Sequence, residues 1–497
     1  MAPMVPKIVS MPVIDQIPLH DTWPMVLSWL WANKFMIAGW GIALAAFVVV
    51  PFRRSPAEAR GWLLIFFALP WVALVIYSLI GRPYLAADRR ARIAELPKLL
   101  DRILPRIQEF GAAPELESDN RAVARLARGI GGFAATSGNR IEMHDVYDEA
   151  ILAMVADIDR ARHHVHVEFY IFKDDRIGNM VIAALERAGE RGVRCRVLVD
   201  ALGSYGALAR LKDRLNRAGI EFHAILPLRR RLRSSRLDLR NHRKILIVDG
   251  EIGYTGSQNV WDPTEHSRRP NTDLLLRIRG PVVAQLQTVF AMDWYLETLE
   301  ELTGEEYYPR PQVADGDAAQ IVVTGPEKPG VGLDLIVSQA IHNAADDIVI
   351  TTPYFVPNDA VISSIKTATI GGVRVRLITS ETSDQLLVGL AQRSYYAELL
   401  SAGVEIHLHR PQFLHAKHFR VDTEVAIVGT SNMDVRSFEL NAEIDLISYD
   451  SGFVEQVRAL EERHLADSRQ LTLEDWSQRS PWSKLLENTA RLMADLI

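Results

Sequence analysis

The chain has 497 residues, 48% of them apolar, which is enough to bury a large core and excludes a disordered or fibrous protein. Its formal charge of −6 lacks the basic excess of proteins that coat nucleic acid, so we expect no nucleic-acid partner. The single cysteine, Cys195, excludes an intrachain disulfide and offers no cysteine cluster for zinc.

Two uncharged apolar segments, residues 35–52 and 61–80, lie near the N-terminus. Each approaches the ~20 apolar residues that a helix needs to cross a bilayer, so the sequence predicts a transmembrane helical hairpin. More basic residues flank the pair than lie in the loop between the two segments, which favours both ends in the cytoplasm. A buried core helix and a signal peptide are the alternatives for a single segment.

The remainder of the chain contains two copies of one unit, in which apolar β-branched runs alternate with helical segments. We predict a duplicated α/β sandwich with largely parallel strand pairing and a shared interface, and helices over residues 181–190, 208–218, 360–369 and 387–402. The predicted segments are residues 1–34 as an N-terminal segment, 35–52 and 61–80 as membrane helices, 81–137 as a membrane-proximal helix and linker, and 138–325 and 326–497 as the two repeats.

A histidine, a lysine two residues later and an aspartate five residues further occur at the same place in each copy. An asparagine follows each histidine after 17 residues. The first set is His242, Lys244, Asp249 and Asn259, and the second set is His415, Lys417, Asp422 and Asn432. Side chains two residues apart on a strand point to the same face, so each histidine and its lysine are expected to face one ligand.

These residue types suit phosphodiester chemistry. Lysine and asparagine donors stabilise the negative charge that develops on phosphoryl oxygens. A neutral imidazole can attack phosphorus to form a phosphohistidine, while a second, protonated imidazole protonates the departing alcohol. Because the lysines already supply positive charge, we expect no metal and no other cofactor.

The carboxylates near the motifs have two expected roles. Asp249 and Asp422 stand at odd separation from the motif histidines, so we expect them to position the motif strand and its turn rather than to transfer protons. Asp273 and Glu443, downstream of the first and second motifs, are the candidates for fixing the tautomers of the catalytic histidines.

The HxKxxxxD pattern, present twice, resembles the signature of the phospholipase D superfamily. The segments RNHRKILIVDGEIGYTGSQN, TTPYFVPND and GTSNMDVRSFELNAEI are similar to bacterial cardiolipin synthases, and the similarity covers nearly the whole chain. This resemblance implies an inner-membrane phosphatidyltransferase that converts two phosphatidylglycerol molecules into cardiolipin and glycerol. It also implies that His242, Lys244, Asp249, His415, Lys417 and Asp422 form the active-site motifs, with His242 as nucleophile and His415 as general acid.

Two other functions stay open. A membrane hydrolase of the phospholipase D type would release phosphatidic acid because water attacks in the second step. A non-catalytic membrane scaffold would have lost a motif histidine or lysine, and both sets are intact.

Two surface features also allow alternatives. The arginine-rich segment 229–240 is expected either to hold anionic lipid headgroups or to be a solvated loop. One face of the C-terminal helix is expected to pack on the domain rather than contact a membrane. That face carries Trp482, Leu485, Leu486, Met493 and Ile497.

Overall fold

The structure is a computed structural model that describes residues 27–54, 56–81, 85–227, 238–266, 270–312, 316–328 and 330–492. The chain divides into two compact units, Met1–Pro83 and Tyr84–Ile497. The arginines at positions 229–236, and Met493 and Ile497, lie outside the described residues, whereas Arg240 lies within them.

The smaller unit contains helices α1 (Lys34–Val49), α2 (Pro56–Ala68) and α3 (Pro70–Ile80). Segment 61–80 is therefore two helices rather than one, with the break at Leu69. Pro70 causes this break because it has no N–H for a helical hydrogen bond and fits only the first turn of a helix. Within the described residues, no helix combines the length and the apolar character needed to cross a membrane.

The larger unit contains two successive sets of elements. The first set comprises α4 (Ala87–Ile107), α5 (Ser118–Gly131), β1 (Thr136–His144), α6 (Tyr147–Arg160), β2 (His164–Phe169), α7 (Arg176–Glu190), β3 (Arg194–Asp200), α8 (Leu208–Arg217), β4 (Glu221–Ile225), β5 (Arg240–Asn241), β6 (Lys244–Val248), β7 (Ile252–Gly256), α9 (Pro263–His266), β8 (Asn271–Thr272), β9 (Leu275–Arg279), α10 (Val282–Thr298) and a 3₁₀ turn (Glu305–Tyr307).

The second set comprises β10 (Asp317–Thr324), α11 (Leu333–Asn343), β11 (Asp347–Thr351), β12 (Phe355–Val356), α12 (Asp359–Ile370), β13 (Arg374–Ser380), α13 (Leu386–Ala402), β14 (Glu405–His409), β15 (Phe413–Leu414), β16 (His418–Val421), β17 (Val425–Gly429), β18 (Met433–Asp434), α14 (Val435–Glu439), β19 (Asn441–Ser448), α15 (Ser451–Ala466), β20 (Ser468–Leu471), α16 (Leu473–Ser477) and α17 (Pro481–Arg491). The four helices expected from the sequence are confirmed as α7, α8, α12 and α13.

Strands of both sets form one continuous sheet, 16-stranded within the described part of the chain. β1 and β10 lie antiparallel at its centre. On one side the order is β9, β7, β6, β2, β3 and β4, and on the other it is β19, β17, β16, β11, β13, β14 and β20. The matching order on the two sides is what duplication of one unit produces.

The expectation of largely parallel pairing is wrong. β2, β3 and β4 are parallel, as are β11, β13 and β14. The motif strands β6 and β16 instead pair antiparallel with both of their neighbours. A tight turn follows each motif strand at Asp249 (φ 54°) and Asp422 (φ 48°), and such a turn makes a hairpin, whereas parallel neighbours need a long crossover.

One apolar core is common to both halves of the larger unit. It includes Phe290 and Trp294 of α10, Val457 of α15, Leu276 of β9 and Leu446 of β19, all fully buried. The helices on the opposite face cover separate cores, one for each half. Because the first core is shared, separating the halves would expose apolar surface to water.

Helix α17 does not place its apolar face as expected. Trp482, Leu485 and Leu486 are 74%, 54% and 58% exposed, so the expectation that they pack on the domain is wrong. The helix instead buries Glu487 and Ala490. Glu487 forms an ion pair with Arg393 of α13.

Each motif aspartate joins the end of its strand to the start of a neighbouring strand. The Asp249 carboxylate accepts hydrogen bonds of 2.7–2.9 Å from the backbone N–H groups of residues 162–164, which lead into β2. The Asp422 carboxylate accepts equivalent bonds from residues 345–347, which lead into β11. The two motifs are thus fastened to the sheet in the same way.

We expect Asp249→Ala to lower the free energy of unfolding by about 2 kcal/mol, because three N–H groups lose a charged acceptor and alanine disfavours a positive φ. Asp249→Asn should cost less, since asparagine keeps an acceptor and tolerates this backbone. Denaturant unfolding measures both, with the exposed Asp213→Ala as control. Equal midpoints for Asp249→Ala and the control would contradict the prediction.

Candidate active site

Both motif histidines face one cavity of about 890 Å³ in the larger unit. Its lining includes His242 and Asn259 from the first half and His415 and Asn432 from the second. The duplication has therefore produced a single composite site at the junction of the halves.

Short strand pairings between the halves hold the two histidines. β5 pairs with β19, and β8 pairs with β15. The pairing continues into the motifs, because the N–H of His242 donates to the Ala442 carbonyl and the N–H of His415 donates to the Thr272 carbonyl, both at 2.8 Å. The backbone of each half thus fixes the position of the other half's histidine.

The carboxylate partners are exchanged between the halves. Nδ1 of His242 lies 2.8 Å from Oε2 of Glu443, and Nδ1 of His415 lies 2.6 Å from Oδ1 of Asp273. Because Nδ1 of each ring is engaged, Nε2 is the nitrogen left for chemistry. The sequence indicated both carboxylates but carried no sign that the pairing crosses between the halves.

Hydroxyl groups orient these carboxylates. Ser257 Oγ donates to Asp273 Oδ1 and Thr430 Oγ1 donates to Glu443 Oε2, both at 2.6 Å. Sequence reasoning missed Ser257 and Thr430. The available signal was a hydroxyl residue directly after the glycine in both GSQN and GTSN.

The two motif lysines lie buried beside the histidines. Nζ of Lys244 donates to the carbonyl of His242 at 2.8 Å, and Nζ of Lys417 donates to the carbonyl of His415 at 2.6 Å. Burial, together with the charge of Lys417, lowers the pKa of Lys244. Burial also lowers the pKa of Lys417, to about 8. Two positive charges thus meet in a desolvated site, which favours binding of an anion.

The two histidine–carboxylate pairs differ electrostatically. Burial, and then the charges of Lys244 and Lys417, hold the pKa of His242 well below 6.5. Burial and Lys417 also lower the pKa of His415, but the charge of Asp273 opposes them. Burial raises the pKa of Glu443. Burial alone would raise the pKa of Asp273, but the positive charges of His415 and Lys417 outweigh it and lower that pKa to about 2. His415 therefore has the more firmly ionised partner.

The motif asparagines contribute amide groups to the cavity. Oδ1 of Asn259 accepts a hydrogen bond of 3.1 Å from the N–H of Ile171, which leaves its Nδ2 to donate to a ligand. Asn432 is anchored by its backbone N–H, which donates to Ser437 Oγ at 3.1 Å. Both asparagines line the cavity.

The structure does not bring every predicted residue to the cavity. Asp249 and Asp422 lie at the opposite ends of the motif strands from the histidines and are absent from the cavity lining. Tyr170, which the sequence did not single out, lines the cavity with its ring 4.9 Å from the His242 ring.

Among the residues that the structure describes, no cluster of histidine, cysteine or carboxylate side chains is arranged to hold a metal ion.

A duplicated α/β fold that joins two histidine–lysine sets at one cavity defines an enzyme of the phospholipase D type. A family profile described as cardiolipin synthase, PLD-like domain, matches residues 154–294 and 337–465. Cardiolipin synthase A of Pectobacterium atrosepticum is 32% identical over 493 residues, which cover 96% of this chain and 100% of that protein. Cardiolipin synthase A of Serratia proteamaculans is 31% identical over 492 residues, with the same coverage.

Among solved structures, phosphatidylserine synthase of Haemophilus influenzae has a TM-score of 0.59 at 16% sequence identity. The match covers 76% of this chain and 99% of that chain, and it shows a common fold. The chain belongs to the bacterial cardiolipin synthases of the phospholipase D superfamily. Its activity is that of a phosphatidyltransferase in cardiolipin synthesis, and the family expected from the sequence is confirmed.

We expect Asp273→Asn to lower kcat by about 10²–10⁴-fold, because the amide cannot hold the His415 tautomer or stabilise its protonated form. The variant removes a residue of the first half but impairs the histidine of the second. Steady-state kinetics measure the loss, and circular dichroism checks the fold. An Asp273→Asn enzyme with unchanged kcat would contradict the crossed pairing as a functional contact.

The pH dependence of kcat/KM should show an alkaline limb. Lys244 and Lys417 lose their charges as the pH rises through their pKa values of about 7 and about 8, so binding of an anionic substrate should weaken over this range. Lys417→Arg should remove the upper part of the limb, since guanidinium stays charged, and leave the part that Lys244 sets. A limb of the same shape and position in both enzymes would assign the titration to other groups.

Proposed function

We propose that this enzyme transfers a phosphatidyl group from one phosphatidylglycerol molecule to another, which gives cardiolipin and glycerol. The observation that carries the proposal is the unequal pair of histidines at one cavity. His242 favours the neutral form that attacks phosphorus, whereas His415, beside the ionised Asp273, is better able to hold a proton.

In the first step, Nε2 of His242 attacks the phosphorus of the donor lipid. The bond from phosphorus to the glycerol oxygen breaks, and His415 gives its proton to that oxygen, so that glycerol leaves. Lys244, Lys417, Asn259 and Asn432 stabilise the charge on the phosphoryl oxygens.

In the second step, a glycerol hydroxyl of the acceptor lipid gives its proton to His415. Its oxygen attacks phosphorus, the phosphorus–nitrogen bond breaks, and His242 returns to its neutral form. Both histidines end in their starting protonation states, so no cofactor is consumed. Asp249 and Asp422 act in this scheme by holding the motif strands.

The repeats are proposed as two units, 138–325 and 326–497 by sequence. The matching strand order on either side of β1 and β10 supports two repeats, but it groups β10 (Asp317–Thr324) with the second one, so the boundary is better placed before Asp317.

We also propose that the smaller unit inserts into the bacterial inner membrane and that the larger unit works on its cytoplasmic side. Support comes from apolar side chains that α1, α2 and α3 leave exposed. Among them Phe35, Phe47 and Phe67 are 69%, 57% and 51% exposed. Apolar surface of this extent is suited to lipid rather than water.

Incubation of the purified full chain with phosphatidylglycerol alone in detergent tests the reaction. Cardiolipin and glycerol should appear in a one-to-one ratio, should be unaffected by EDTA, and should be absent with His242→Ala or His415→Ala. Phosphatidic acid as the only lipid product would replace the proposal by a phospholipase. No turnover would exclude phosphatidylglycerol as the donor.

A further inference from the structure

The cavity wall near His415 carries a hydrogen-bonded group outside the two motifs. The hydroxyl of Tyr354 donates to Oδ1 of Asp384 at 2.7 Å, and Nε2 of Gln385 donates to the Tyr354 hydroxyl at 3.1 Å. All three residues line the cavity. The ring of Phe413 connects them to the site, since it lies 6.3 Å from the Tyr354 ring and 6.1 Å from the His415 ring.

The wall near His242 has the opposite charge. Arg240 and Arg436 line the cavity there, and the charges of both act on Tyr170, whose ring packs against His242. A phosphate is attracted to this wall and repelled by the carboxylate of Asp384. An anionic group is therefore disfavoured beside Asp384, whereas a neutral group that donates hydrogen bonds, such as a hydroxyl, is favoured there.

We propose that Asp384, Gln385 and Tyr354 form a polyol-binding subsite that accepts the hydroxyls of a glycerol headgroup. The inference rests on the proposed function, in which His415 exchanges a proton with the glycerol oxygen and glycerol thus lies on the His415 side. The bond from Tyr354 engages Oδ1 of Asp384, which leaves Oδ2 to accept a hydroxyl of the substrate. The same subsite holds the departing glycerol and then the glycerol of the acceptor lipid.

A second role for Asp384 has to be separated from this one. Its charge raises the pKa of Lys417 against the effect of burial, so it also stabilises the ammonium form of that lysine. A residue that acted only through Lys417 would affect all acceptor alcohols equally. A residue that binds the polyol affects glycerol more than an alcohol with one hydroxyl.

The test is a competition between glycerol and 1-propanol for the covalent intermediate, formed by the full chain from phosphatidyl-p-nitrophenol. The ratio of phosphatidylglycerol to phosphatidylpropanol reports acceptor selectivity and does not depend on how fast the intermediate forms. Asp384→Asn should lower this ratio by about tenfold, as expected for loss of a hydrogen bond to a charged group. Tyr354→Phe should lower it by a smaller factor, and the exposed Asp213→Asn should leave it unchanged.

An unchanged ratio in Asp384→Asn would overturn the subsite. If both products also fell by the same factor, Asp384 would act through Lys417 alone. A failure of the proposed function is recognised separately. In that case the unmutated protein would release no p-nitrophenol, or His242→Ala would release it as fast as the unmutated protein.

Discussion

The active site depends on two histidine–carboxylate contacts, and each of them joins a histidine of one half to a carboxylate of the other half. Asp273 of the first half holds His415, and Glu443 of the second half holds His242. Both carboxylates, His242 and both motif lysines are buried, and the His415 side chain is only 13% exposed. An ionised group without a partner is costly in such surroundings. Among the described residues, neither half alone supplies both members of a pair between a motif histidine and its carboxylate, so the chemistry needs both halves.

The rest of the larger unit holds the histidines and their carboxylate partners in position. The continuous sheet, centred on β1 and β10, and the common core under α10 and α15 hold the halves as one body. The β5–β19 and β8–β15 pairings then bring each histidine to the strand that precedes or carries its partner carboxylate. A nucleophile and an acid fixed on opposite sides of one phosphoryl group convert a difficult displacement into two positioned steps.

The duplication, the helices and the faces of the motif strands were predictable because each depends on local spacing. The histidine and lysine two residues apart are on one strand face by geometry alone. The antiparallel pairing of β6 and β16 was missed, although the Asp-Gly step at residues 249–250 and the short motif-to-strand spacing indicated hairpins. Pro70 is likewise visible in the sequence as a helix break, although the apolar run around it is long enough for one continuous helix.

The exchanged pairing could not be predicted from the sequence. His415 is 142 positions from Asp273 along the chain, and Glu443 is 201 positions from His242, and contacts at such separations leave no periodic pattern in one sequence. The proposed subsite around Asp384 likewise depends on contacts between residues far apart in the chain.

The most direct measurement of the central claim is the site and stoichiometry of the covalent intermediate. Protein quenched in alkaline detergent during turnover and digested for mass spectrometry should carry one phosphatidyl group per chain, on His242. A group on His415, or on both histidines, would contradict a single composite site with unequal roles.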